Sequence, residues 1–370
     1  MRIEQISLRE IRMPLVTPFE TSFARMQQRR ILLLQVRVDG LEGWGEVTCG
    51  EGPFYNAEST DLAALVLKDF AVPMVLGREF AEPGDVARAL EPIRGHRMAK
   101  AAIENAVWAA EAERQGVPLW QLLGGTRREI ACGVSIGIKD SAGELLEAIA
   151  RELEAGYQRI KIKIKPGWDV EIVGQVRRRF PKIALSADAN SAFRPDDAPL
   201  LRALDEFGLM MIEQPLWDDD IQQHALLQRQ LRTPLCLDES IHHVRDAEEA
   251  IACRACGMIN IKLGRVGGFS SARAVHDAAL KAAMPVWCGG MLESGVGRAA
   301  NIAMSTLANF SLPGDVSASR RYWHEDIIDP EVSVSARGTI SAPSGAGLGY
   351  VVRRKRIDKL TAWEQTFRPT

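Results

Sequence analysis

Apolar and polar residues alternate with period two through the first fifty positions, in RILLLQVRVDG and again in GWGEV. This is the pattern of half-buried strands, and it predicts a three-stranded antiparallel meander with a tight turn at Asp39-Gly40. From about residue 58 to 123 the period changes. MAKAAIENAVWAAEAERQG is Ala-rich, has helical spacing, and is stopped by Gly116 and Pro118. Gly124-Gly125 then marks a boundary. Beyond residue 130, short apolar runs alternate with helical segments: ACGVSIGI, RIKIKI, IALSADAN, LMMIEQP, PLCLDES, MINIKLG, MPVWCGG and a weaker run near Leu312 to Val316. Eight such runs predict one (β/α) barrel. The last forty residues are strand-like and Gly/Ser-rich, and are expected to return to the first domain. The expected fold class is α/β, divided into an α+β capping domain at 1–125, a catalytic barrel at 126–325 and a returning C-terminal segment at 326–370.

Bulk properties narrow the function. At 370 residues the chain exceeds the ~250 of a bare barrel, in keeping with a second domain. A net charge of −2 gives no global field for nucleic acid or an anionic membrane, and neither partner is expected. Arg177-Arg178-Arg179 and Arg353-Arg354-Lys355-Arg356 read as solvated faces. The N-terminus lacks the apolar core of a secretory signal, and no stretch has the length of a membrane span, so a cytoplasmic enzyme is expected. Six scattered cysteines fit reduced thiols, and the Cys253/Cys256 CxxC has no second half to complete a zinc site.

Five ionisable residues, Lys163, Asp188, Glu213, Asp238 and Lys262, recur at intervals of 25, 25, 25 and 24 positions, each at or near the end of a predicted strand. If these are barrel strands, all five side chains meet at one mouth. In RIKIKIKPGWD the isoleucines share one face and Arg159, Lys161, Lys163 and Lys165 the other. With the Ile row against the helices, the lysines point inward, where unpaired ammonium groups are costly and anionic partners are required. SADAN, MIEQP and CLDES supply one carboxylate each. Three hard oxygen ligands on adjacent strands suit Mg²⁺, with Mn²⁺ able to substitute, and no strand-end histidine pair supports zinc. Taken alone, each of these residues has an ordinary reading as a surface charge. Jointly, two amines flanking a metal-bound substrate carboxylate suit removal of the proton α to it, because positive charge near the developing enediolate stabilises it by several kcal/mol. The reaction class is enolisation.

The motifs GWGEV, GVPLWQLLGG, KIKIKPGWD, DAN, EQP, LDES and NIKLGRVGG together resemble the enolase superfamily, muconate-lactonising subgroup, over nearly the whole chain. GEGPFYNAES, GGMLESGVGR and RYWHEDI are most similar to the o-succinylbenzoate synthase / N-acylamino acid racemase family. The resemblance implies a modified TIM barrel, (β/α)7β, with an N-terminal α+β cap. It implies Asp188, Glu213 and Asp238 as Mg²⁺ ligands and Lys163, the second Lys of KxK, as the base. Lys262 would be the opposing lysine and Lys161 the stabiliser of the enediolate, with Asn190 and Glu239 in support. The implied activity is Mg²⁺-dependent dehydration of a succinyl-hydroxycyclohexadiene carboxylate in menaquinone synthesis, or racemisation of N-acylamino acids as the alternative or a second activity. A non-catalytic relative would lack one of these groups, and none is missing.

Specificity is expected from cap loops over the barrel mouth. Candidate wall residues are Phe19, Phe23, Met26, Phe54 and Tyr55 from the cap, with Ser135, Gly290, Met291 and Leu292 from the barrel; ordinary packing is the competing reading for each. Asn190 joins the substrate-binding set. Arg265, three residues after Lys262, is either a surface or subunit-contact residue or a cation that lowers the Lys262 pKa and so favours two-base racemisation. The expected partner is a small-molecule carboxylate substrate, and the protein is expected to form a homo-oligomer.

Overall fold

The computed structural model describes residues 1–22 and 24–369. Strands β1 (Ile3–Glu20), β2 (Arg25–Val38) and β3 (Leu41–Val47) form the expected antiparallel meander, and Asp39 and Gly40 turn it with φ of 48° and 80°. The sheet has four strands, because the C-terminal strand Thr361–Phe367 pairs with β1, Ile6 lying opposite Phe367. Its face is covered by the helix Arg97–Arg114. The contact is nearly backbone to backbone. A Cβ on Gly43 would stand 1.8 Å from the Ala106 carbonyl oxygen, and one on Gly45 would stand 2.0 Å from that of Ala102. The glycines of GWGEV and the alanines of the helix are therefore one packing solution, in which any larger residue on the strand displaces the helix.

A short strand β4 (Glu129–Ala131) leads into the barrel and pairs with Thr339–Ser341. The barrel sheet then runs in sequence order through β5 (Gly133–Ile136), β6 (Arg159–Lys163), β7 (Ala184–Asp188), β8 (Met211–Glu213), β9 (Leu235–Leu237), β10 (Met258–Ile261) and β11 (Val286–Cys288), all parallel. As the alternation in RIKIKI requires, Ile160, Ile162 and Ile164 are fully buried in the core shared with the surrounding helices. Each such side chain contributes roughly 1.5–3 kcal/mol over an exposed one. The inward row has a different floor: Met211, Cys236, Met258 and Trp287 form a small separate core inside the barrel.

The eighth run departs from expectation. Residues 309–315 close the barrel between β11 and β5 through Val286 N to Asn309 O, Asp315 N to Cys288 O, Gly314 N to Ala131 O and Gly133 N to Gly314 O, but they form isolated bridges rather than a strand. Pro313 has no N–H to donate and Gly314 has no side chain to pack, so a continuous ladder cannot form there. Arg177 departs as well. Its guanidinium is no solvated charge, since it donates to the carbonyls of Phe207, Ile183 and Gly208 and ties its helix to two loops. Arg353, Arg354 and Arg356 remain at the surface, in ion pairs with Glu325 and Glu42.

Cap and barrel are joined by a buried carboxylate. Glu46 on β3 accepts hydrogen bonds from the Ser294 backbone N–H (3.1 Å), the Ser294 hydroxyl (2.5 Å) and the Gly297 N–H (2.9 Å). A residue of one domain thereby caps the helix Gly295–Ser305 of the other, completing donors that a helix start leaves unpaired. Burial pushes the Glu46 carboxyl up from 4.5 to about 7, against the pull of these donors. A raised folded-state pKa means the native chain binds more protons, so this group's stabilisation is full below about pH 4.5 and is lost as pH rises through about 7. Glu46→Gln cannot ionise. Its stability relative to the parent should therefore improve steadily between those limits, as measured by urea midpoints; a pH-independent difference would show that Glu46 titrates alike in folded and unfolded chains.

Candidate active site

Strand ends and register assemble the site. Lys163, Asp188 and Glu213 close β6, β7 and β8 and lie side by side in the ladder, Lys163 opposite Asp188 and Asp188 opposite Glu213. Asp238 and Lys262 follow β9 and β10 by one residue. The structure therefore brings together all five residues of the 25-residue repeat. Asp188, Glu213 and Asp238 are at most 1% exposed, and each is held by cations or amides.

Lys163 Nζ donates to Asp188 Oδ2 (2.6 Å) and Asn190 Oδ1 (2.7 Å), and the Asn190 amide passes the link on to Glu239 Oε1 (2.8 Å). Lys161 Nζ reaches Glu213 Oε2 (2.7 Å), Asp315 Oδ2 (2.8 Å) and Asp188 Oδ2 (3.1 Å). Lys262 donates to Asp238 Oδ2 (2.8 Å), and its ammonium lies 4.3 Å from the centroid of the Tyr55 ring. The other Asp238 oxygen accepts from the Tyr55 hydroxyl (3.1 Å) and from the Arg265 guanidinium. Glu213 Oε1 accepts from the Asn260 amide (2.8 Å).

Burial and charge oppose each other throughout. Burial pushes the Asp188 carboxyl up, but the adjacent Lys163 and Lys161 ammoniums outweigh it and hold Asp188 below its ordinary range. For Glu213 burial wins, reinforced by the Asp188 charge, and its pKa rises. Burial also raises Glu239, to about 7. It disfavours the Lys161 ammonium, yet Asp315, Glu213 and Asp188 more than offset it, and the Lys161 pKa rises. Lys262 behaves similarly, with Tyr55, Glu239, Glu213 and Asp188 overcoming desolvation. The net shift of Lys262 is therefore upward, although Arg265 was expected to lower it. Arg265 is fully buried rather than at the surface, and its charge is engaged by Asp238, Tyr55 and the carbonyls of Ile241 and Asn260.

Above these groups a cavity of about 730 Å³ opens toward the cap. Lys161, Lys163 and Lys262 line its base together with Ser135 and Asn190. Gly290, Met291 and Leu292 form a barrel wall, and Phe19, Met26, Phe54 and Tyr55 descend from the cap. Phe54 is 68% exposed and stands at the rim, whereas Tyr55 reaches the ion network itself. The Ser135 hydroxyl is buried without a hydrogen-bond partner at the cavity edge. Phe23 lies outside the described residues. Lys165 sits at the strand exit, 3.9 Å from Glu20, away from the ion network.

Three residues of the site were not among the candidates. Asn260 shares the inward parity of Lys262 two positions on, a signal present in NIK. Asp315 follows the Pro-Gly break that hides the strand pattern of the eighth run. Tyr322, in RYWHEDI, lines the cavity between the Arg298 and Arg321 guanidiniums, 5.3 and 5.0 Å from its ring. The donor chemistry fits a hard divalent cation: three carboxylates on consecutive strands, with a further buried oxygen, Glu239 Oε2, lacking a partner. As they stand, however, no group of three or more His, Cys, Asp or Glu side chains among the described residues is set closely enough to hold an ion. Lys161 bridges Asp188 and Glu213.

Comparison with known proteins agrees with this architecture. Residues 3–124 match the mandelate racemase / muconate lactonizing enzyme N-terminal domain, and residues 144–356 match the enolase C-terminal domain-like family. An o-succinylbenzoate synthase from Geobacillus kaustophilus is 49% identical, with 100% of this chain and 99% of that protein covered. An N-succinylamino acid racemase from Amycolatopsis sp. is 46% identical, with 98% of each covered. The crystal structure of an enolase superfamily member from Listeria innocua superposes with a TM-score of 0.95 at 39% identity, covering 100% of this chain and 99% of that one. The chain belongs to the mandelate racemase / muconate lactonizing enzyme family of the enolase superfamily, in the group that contains o-succinylbenzoate synthases and N-succinylamino acid racemases.

Proposed function

We propose that this chain is an o-succinylbenzoate synthase, catalysing syn dehydration of a succinyl-hydroxycyclohexadiene carboxylate through an enediolate. The observation that carries the proposal is that Lys161, Lys163 and Lys262 line one cavity directly above three buried carboxylates, in a chain 49% identical to a synthase over its full length. Asp188, Glu213 and Asp238 would hold Mg²⁺, or Mn²⁺ in its place. When bound, that cation supplies positive charge beside the substrate carboxylate oxygens that become electron-rich on enolisation.

The protein's own residues supply the rest. Lys163, oriented by Asn190, acts as the neutral amine: it takes the α proton and, now an ammonium, gives it to the departing hydroxide on the same face, so that water leaves and the amine is regenerated. Lys161 places positive charge beside the reacting carboxylate. Lys262, whose surroundings favour the ammonium, stabilises the anion from the far side without moving a proton. Ser135, Gly290, Met291, Phe54 and Tyr55 would bound the substrate. The aliphatic and aromatic wall also keeps water from the base. Among the described residues no helix is long and apolar enough to cross a membrane. We propose, separately, a cytoplasmic homo-oligomer acting on this small carboxylate.

A second activity has a specific observation in its favour. Relatives named N-succinylamino acid racemase, from Amycolatopsis sp. and Thermus thermophilus, are 46% and 45% identical over nearly the whole chain. Lys163 and Lys262 both line the cavity, and two amines, one for each face of Cα, would suit inversion there. Racemisation differs in demanding that Lys262 also exchange a proton.

Two outcomes test the reading. Lys163→Ala should fold normally and lose about 10²–10⁴-fold in turnover of the cyclohexadiene precursor, followed by its ultraviolet absorbance; near-parental turnover would remove Lys163 from the role of base. Thorough chelation should abolish turnover, and Mg²⁺ or Mn²⁺ should restore it; full activity of verified metal-free protein would end the metal assignment. If the precursor is untouched but an N-succinyl amino acid exchanges Cα deuterium, the racemase reading replaces the synthase one.

A further inference from the structure

Lys161 presents a problem that the proposed function leaves open. Its ammonium has three N–H donors and three carboxylate partners, Glu213 at 2.7 Å, Asp315 at 2.8 Å and Asp188 at 3.1 Å. Two of those three are the carboxylates that a divalent cation would claim. An ammonium that close to both competes with the cation for the same oxygens and repels it at short range in a site nearly closed to water, Lys161 being 2% exposed. Only Asp315 stands apart from the metal set.

Asp315 is built to remain in place. It ends the barrel-closing segment, with its backbone N–H donating to Cys288 O (2.7 Å) and the preceding Gly314 bonded on both sides to β4 and β5 residues. Its second oxygen is fixed by the Arg159 guanidinium at 2.7 Å, and Arg159 is itself held by the Pro313 carbonyl. The Trp287 ring lies against both cations, 4.7 Å from Arg159 and 4.6 Å from Lys161, and defines the side of the cavity on which Lys161 can rest.

We propose that Asp315 is a positioning residue that draws the Lys161 ammonium to the eighth-strand side of the barrel, so that Asp188 and Glu213 are free to bind a divalent cation. The inference rests on the metal reading above and adds a residue that does not touch the cation. It makes cation binding and retention of Lys161 compatible in one small volume. Among the described residues, the anions left to Lys161 without Asp315 are the two that the cation needs.

The test is binding of Mn²⁺ alone, without substrate, to the full chain, read by the paramagnetic resonance signal of the free ion. Asp315→Asn should weaken Mn²⁺ binding by about ten- to a hundredfold, the range seen when groups that support metal ligands are removed. In Asp315→Asn/Lys161→Met the competing ammonium is gone, and affinity should return to that of Lys161→Met alone, a coupling that a merely structural role for Asp315 would not produce. Because Asp315→Asn strands the buried Arg159 charge, Arg159→Met/Asp315→Asn against Arg159→Met provides the same comparison if the single variant does not fold. Parental Mn²⁺ affinity in the Asp315 variants, or a loss that persists after Lys161→Met, overturns the proposal while leaving the metal site standing. Absence of Mn²⁺ binding by the parent chain overturns both.

Discussion

The constraint on which this molecule depends is that ammonium and guanidinium groups are buried inside a barrel. Arg159, Lys161, Lys262 and Arg265 are each no more than 6% exposed, in an interior where an unpaired charge costs several kcal/mol. Every one of them is matched. Arg159 and Lys161 meet Asp315, Lys161 and Lys163 meet Asp188, and Lys262 and Arg265 meet Asp238. Such pairs are a poor source of stability, since apolar residues of the same volume would serve the fold as well or better. Their clustering at one end of the barrel is a reason to look for chemistry rather than stability there.

The scaffold meets the cost by making everything around the network rigid. The Ile row of β6 is locked against the outer helices, while Trp287 and its sulfur-bearing neighbours fill the barrel beneath the ions. The cap is fixed to the barrel at two levels. At the mouth Tyr55 bonds to Asp238, and farther out Glu46 caps a barrel helix beside the loop that carries Gly290, Met291 and Leu292. Cap position and wall position are therefore mechanically linked. Loops that set substrate shape are anchored to the same elements that hold the ions.

Much of this could be read from the sequence because its periods are physical. A step of 25 residues is one strand and one helix, and a strict alternation in RIKIKI assigns faces without knowledge of partners. These periods alone bring five ionisable residues to one mouth. What could not be read has equally definite causes. Asp315 follows Pro313-Gly314, where the ladder breaks and parity no longer specifies direction. Arg265 lies in a short helix just beyond β10, so the period of the strand did not reveal that it turns back beneath Asp238. Nor does its distance from Lys262 in sequence reveal that Asp238 and two backbone carbonyls receive its guanidinium. Tyr55 was read as a wall residue because an aromatic in a loop carries no directional signal.

The two reactions proposed for this cavity make different demands on Lys262, and its surroundings bear on which is easier. Dehydration with one base asks that Lys262 remain a fixed positive charge, and the Tyr55 ring and nearby carboxylates favour that form. Racemisation asks the same amine to give up its proton in one direction of each turnover, against that preference. A divalent cation on Asp188, Glu213 and Asp238 would neutralise much of the negative charge that now sustains the ammonium, and so would move Lys262 toward the balance racemisation needs. One set of residues can therefore serve both reactions without being equally suited to both. The carboxylate charge that a bound cation would leave facing Lys262 therefore bears on which reaction is easier.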